Sequence, residues 1–152
     1  MPRPSSPRVS LQSSAEAAEA AFYEALQAAD VDALMQVWAD DDELVCIHPG
    51  GPRIVGAAAI RASFEQLLAG GGGGLRIVPE RVLRSVTLGC AVHNVVERVV
   101  LQSQPGEKQF GFVLATNAYI KTPDGWRMVL HHASPATAHE VAEVMTLPER
   151  LH

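Results

Sequence analysis

The sequence predicts an α+β fold in which three N-terminal helices cover a curved antiparallel sheet of about four long strands plus a short hairpin. Two observations carry this expectation. Apolar residues recur at helical spacing through the first half of the chain, whereas from Leu75 onward they fall in long β-branched stretches punctuated by Gly and Pro. No internal repeat is visible, and 152 residues suit one hydrophobic core.

Taken in order, Ser13 followed by Glu16 makes a capping-box pattern ahead of an Ala-rich helix over 15–29, with Ala15, Ala18, Phe22, Leu26 and Ala29 on one face. Asp30 can cap a second helix, in which Val31, Leu34, Met35 and Trp38 form a single apolar stripe. That helix ends at the acidic run Asp40 to Glu43, read as a solvated turn. The stretch ELVCIHPGGPRIVG then changes period around a Pro-Gly-Gly-Pro turn, which predicts a short strand and hairpin. Ile60, Phe64, Leu67 and Leu68 mark a third helix, stopped by glycines 70 to 74, each of which would cost about 1 kcal/mol relative to alanine inside it. Four strand-like stretches follow, joined by turns around Gly89, Pro105-Gly106 and Pro123-Asp124-Gly125 into consecutive antiparallel hairpins. Their length implies curvature and bulges, and Pro79 belongs at a bulge or an edge. Residues 137–145 can form a last short helix. The domain plan is therefore a flexible tail over 1–14, one folded domain over 15–135, and an extension over 136–152.

Composition narrows the function classes. The net charge is -5, and the 12 Lys and Arg are scattered singly, so nucleic acid is not an expected partner. No apolar run approaches the roughly 18 residues of a membrane span, and the first fourteen residues lack the apolar stretch of a secretory signal. Cys46 and Cys90 form no CxxC pair, so they read as small core residues of a reducing cytoplasm, not as a disulfide or a zinc site. No cofactor or metal is expected, because His48, His93 and His132 show nothing like an HExxH spacing. A helical layer over a curved sheet leaves a cone, and the expected partner is a small apolar molecule inside it.

Three strings, FYEALQAADVDALMQVWADD, IHPGGPRIVGAAAIRASF and TNAYIKTPDGWRMVLHHAS, together resemble the nuclear transport factor 2-like superfamily, in particular its SnoaL-like and ketosteroid-isomerase-like branches, over roughly residues 15–135. The resemblance implies a cone-shaped, cystatin-like roll, usually a homodimer built through the outer sheet face, with a pocket between helices and inner face. It implies no single activity, since isomerases, polyketide cyclases, dehydratases and assembly domains share the fold. Ketosteroid isomerases use a helix-one tyrosine as oxyanion donor, and its counterpart here is Phe22. Tyr23 lies one residue on, about 100 degrees around the helix. Their base is an aspartate before a proline, and its counterpart is His48, before Pro49. That substitution disfavours steroid isomerisation and leaves other proton transfers open.

His48 has an ordinary pKa of about 6.5 and suits general acid or base work, or simply a hydrogen bond at a tight turn. On the last strand, strict alternation puts Trp126, Met128, Leu130, His132 and Ser134 on one face, with Arg127, Val129, His131 and Ala133 on the other. The first set is bulkier and more apolar, so it is assigned to the pocket, with His132 as the pocket histidine or a core one and His131 outside. His132 with Ser134 also matches a motif common in the resembled superfamily. Alternation groups His93 with Glu97, about 13 Å apart and too far for a direct dyad. Glu97 reads either as a buried acid of raised pKa or, preferred here, as an outer-face ion pair with a residue such as Arg127. Asn117 offers a donor and an acceptor, and Trp38 would line the pocket mouth. The resulting expectation is a domain that binds a small molecule in an apolar pocket, with His48 and His132 as candidate catalytic groups. Phe22, Trp38, Asn117, Met128, Leu130 and Ser134 are its candidate ligand contacts. Its alternative is a non-catalytic binding, dimerisation or assembly domain.

Overall fold

The computed structural model describes residues 12–69, 75–104 and 106–146. Helices α1 (Ala15–Ala28), α2 (Val31–Val37) and α3 (Ala57–Leu67) lie in the first half of the chain. Strands β1 (Val45–Ile47) and β2 (Arg53–Val55) form the short hairpin. Strands β3 (Leu75–Val86), β4 (Cys90–Gln104), β5 (Glu107–Thr122) and β6 (Gly125–Pro135) follow, and α4 (Ala138–Thr146) comes last. The six strands make one sheet in the order β2-β1-β6-β5-β4-β3, antiparallel except where β1 runs parallel to β6. The α+β expectation holds, with the hairpin joined to the main sheet.

Local chemistry explains the helix ends. The cap of α1 is Ser14, whose Oγ accepts from the Ala17 backbone N–H at 3.0 Å. It is not Ser13, because the helix begins at Ala15 and the residue just before it is Ser14, from which Glu16 falls one position short of a reciprocal box. Ala29 adopts a left-handed conformation (φ 54) that lets Asp30 N–H reach Ala25 O, and Asp30 then caps α2 through Ala33 N–H at 3.0 Å. The run 70–74 lies outside the described residues. Within the expected tail, Gln12 is anchored: its carbonyl accepts from Trp126 N–H, and its side chain accepts from Arg127. No helix among the described residues is long and apolar enough to cross a membrane.

The core sits between α1 to α3 and one face of the sheet, with Phe22, Leu34, Ile60, Phe64, Val95 and Met128 at or near zero exposure. Three register breaks interrupt the ladders, one of them between Leu101 and Gln104 on β4. On the edge strand β3 the ladder shifts between Glu80 and Leu83, where Arg81 takes φ 49. On β6, Tyr119 pairs with Met128 but Ala118 pairs with Leu130, so Val129 is one extra residue. A one-residue bulge reverses the alternation beyond it.

One consequence positions the site. A single row crosses the sheet as Arg84, His93, Asn117, His131 and Cys46, register partners on β3, β4, β5, β6 and β1. The last four of these are buried under the helices.

Candidate functional site

His131, not His132, faces the helices. Its ring is 4% exposed, whereas His132 and Ser134 are exposed and Leu130 is half-buried on the outer side. The assignment of His132, Leu130 and Ser134 to the pocket is corrected by the extra residue at Val129, which strict alternation does not anticipate. Met128, before the bulge, faces inward as expected.

His131 begins a chain of buried side chains. Its Nδ1 lies 2.6 Å from Asn117 Oδ1, Asn117 Nδ2 donates to the Tyr23 hydroxyl at 3.0 Å, and that hydroxyl donates to Glu97 Oε2 at 2.7 Å. Glu97 therefore faces inward. The preferred outer-face pairing with Arg127 does not form, because Arg127 instead donates to Gln12 and to the Gln36 and Asp124 carbonyls. Tyr23 reaches the sheet, while Phe22 packs edge-on against Tyr23 and Phe64 and lies 5.1 Å from the His131 ring.

Burial sets the electrostatics. It pushes the Glu97 carboxyl up to about 7, against the opposing hydrogen bond from Tyr23. It pushes His131 down to about 3, with smaller contributions from the charges of His48 and His132, so the ring is neutral. Burial and the neighbouring Glu97 charge raise the Tyr23 hydroxyl, which stays a donor, and push the Cys46 thiol up to about 12, which rules out a ready thiolate.

His48 follows β1 at the rim and is half-buried, with its pKa lowered by that burial. Gly51 N–H closes the turn onto the His48 carbonyl at 2.8 Å, and a Cβ at Gly51 would stand 3.3 Å from that oxygen. A side chain there would press on that carbonyl, and the turn would have to give by a few tenths of an ångström. His48 Nε2 lies 3.0 Å from Ser63 Oγ on α3, its ring packs edge-on against Phe64, and its centroid is 6.5 Å from that of His131.

A second polar group lies further along the same face. His93 is fully buried with Nδ1 3.5 Å from Glu19 Oε2, while Glu19 Oε1 accepts from Arg84 at 2.6 Å. Glu97 and His93 share a face but have separate partners. A cleft of about 800 Å³ opens elsewhere, where α2 meets the β5–β6 turn. Trp38 lines that cleft with Asp32, Arg61 and Asp124, and none of the four networked side chains reaches it. Among the described residues no group of three His, Cys, Asp or Glu could hold a metal ion.

The SnoaL-like domain family matches residues 15–138 of this sequence. The chain belongs to that family. Two solved structures are similar at the sequence level as well. One, from Thiobacillus denitrificans, carries the name of a calcium/calmodulin-dependent protein kinase type II association domain; it is 37% identical over 84% of this chain and 98% of its own, with a TM-score of 0.74. The other, from Streptomyces avermitilis, carries the name of a dehydratase of the NTF2-like family; it is 29% identical over 82% of this chain and 95% of its own, with a TM-score of 0.72. An NTF2-like protein with a cystatin-like fold from Novosphingobium aromaticivorans, 18% identical over 85% and 84% with a TM-score of 0.69, shares the fold. Among curated proteins nothing matches at a significant level.

Of the site residues that sequence reasoning underweighted in this SnoaL-like chain, Tyr23 and Glu19 carried a readable signal. They stand four apart on α1, polar positions inside an otherwise apolar buried face. Ser63 carried none.

Proposed function

We propose that this SnoaL-like chain binds a small, largely apolar molecule between α1, α3 and the inner face of the sheet. His48 and His131 are its polar contacts, with Phe22, Asn117 and Met128 beside them, and the Glu97–Tyr23 pair is its proton-exchanging group. The buried chain from His131 to Glu97 supports this reading most. A core that only joins layers gains nothing from a buried carboxyl, whose desolvation costs on the order of several kcal/mol. A carboxyl with a pKa of about 7, by contrast, exchanges protons at neutral pH. Proton transfer of the isomerase, cyclase or dehydratase type fits these groups, and the relative named as a dehydratase adds support.

A second reading concerns the opposite face. Leu83, Val92 and Phe110 are exposed on it, and the relative named as an association domain is 37% identical. Both observations support a homodimer through the outer sheet face, compatible with an inner ligand site.

A thermal-shift screen of small alicyclic and aromatic alcohols and ketones tests the ligand reading on wild type, His48→Ala, His131→Ala and, as control, His132→Ala. At least one compound should raise the Tm of wild type and of the control but not of the other two. A screen in which no compound stabilises wild type would remove the reading.

A further inference from the structure

The hydrogens at the two imidazoles are fixed by their neighbours. Ionised Glu97 can only accept, so the single Tyr23 proton points to it, and Tyr23 must accept from Asn117. That turns the Asn117 amide nitrogen toward Tyr23 and its oxygen toward His131, whose Nδ1 must then carry hydrogen. His131 Nε2 is left as a lone pair. At the rim the same accounting holds. Ser63 Oγ lies 2.7 Å from the Ile60 carbonyl, which can only accept, so the one Ser63 proton is used there. With that proton so used, His48 Nε2 supplies the hydrogen to Ser63, Cys46 Sγ lying 3.8 Å from the same nitrogen, and His48 Nδ1 is left as a lone pair.

Among the described residues neither lone pair has a partner, and neither nitrogen is completely sealed: His48 is half-buried at the rim, and His131 keeps 4% of its surface exposed. Unpartnered donors exist, but elsewhere: Trp38 lines the cleft beside α2, and Tyr119 packs on the His93 ring at 4.8 Å. The Cys46 thiol is a weak donor at most.

We infer that, with Glu97 ionised, the His48–His131 end of the site recognises its ligand by accepting hydrogen bonds, so that the chemistry it takes is a small, largely apolar alcohol or phenol and not a ketone. This rests on the ligand reading above and goes further, by naming the polar group of the ligand.

The test uses the full chain at pH 8, where Glu97 is ionised. Imidazole nitrogen NMR should show His131 as the Nδ1–H tautomer and His48 as the Nε2–H tautomer; the opposite tautomer at either ring overturns the inference and leaves the ligand reading standing. Binding is then compared for a naphthalenediol, its dimethyl ether and unsubstituted naphthalene. The diol should bind roughly tenfold tighter than the ether in wild type, as expected for one or two gained hydrogen bonds, and the preference should shrink in Ser63→Ala, which frees the His48 tautomer. An ether that binds as tightly as the diol overturns the inference alone. If none of the three perturbs either ring, the ligand reading and this inference fall together.

Discussion

Tyr23 Oη lies 2.7 Å from Glu97 Oε2 inside the core, joining α1 to β4 across 74 residues of sequence. Burial there raises the Glu97 carboxyl to about 7 in spite of the Tyr23 hydrogen bond, and stability should follow its titration.

Glu97 and His131 are expected to pull the pH profile in opposite directions. The folded Glu97 value, about 7, lies above its ordinary 4.5, so the folded chain holds a proton that the unfolded chain has lost, and this contribution declines as pH rises from about 4.5 to about 7. The folded His131 value, about 3, lies below its ordinary 6.5, so the unfolded chain takes up a proton first and stability falls as pH drops from about 6.5 to about 3. Between about 4.5 and 6.5 the two slopes oppose each other. Denaturant melts across this window should show stability rising with pH in Glu97→Gln and falling with pH in His131→Asn. Above pH 7, Glu97→Gln should be more stable than wild type by up to about 3 kcal/mol. Parallel profiles for wild type and both variants would contradict the assignment.

The neighbouring histidines should differ sharply. His131→Ala empties a buried position and strands Asn117, which should cost about 2–4 kcal/mol. His132→Ala, on the exposed face, should stay within about 0.5 kcal/mol of wild type in the same urea titration. The reverse order would mean that the bulge at Val129 does not exist in solution.

The outer face predicts self-association. Light scattering on size-exclusion eluate should give a dimer for wild type and a monomer for the double variant Val92→Glu, Phe110→Glu, with the helical signal intact. A wild-type chain monomeric throughout the micromolar range would end the homodimer proposal.

The cap of α1 offers a local check. Ser14→Ala removes the acceptor for Ala17 N–H and should cost about 1 kcal/mol, while Ser13→Ala should be neutral. Equal losses at both positions would restore Ser13 as a capping residue.

What the sequence determined by itself was whatever short-range pattern controls. The stripe from Leu34, the Asp30 cap, the Pro-Gly-Gly-Pro hairpin and the long strands after Leu75 are each dictated by periodicity, capping or turn chemistry within a few residues, and each formed as read, except that α2 stops at Val37 and Trp38 turns extended to bridge Met128. Only the tertiary structure decided which histidine of the pair turns inward and what Glu97 meets. One unpaired residue at Val129 reverses every side chain beyond it, and that residue exists because β6 must match β5 while the sheet bends, a demand set across strands. The Glu97 partner likewise comes from a helix 74 residues away, so its burial and its raised pKa follow from packing and from no feature of its own strand.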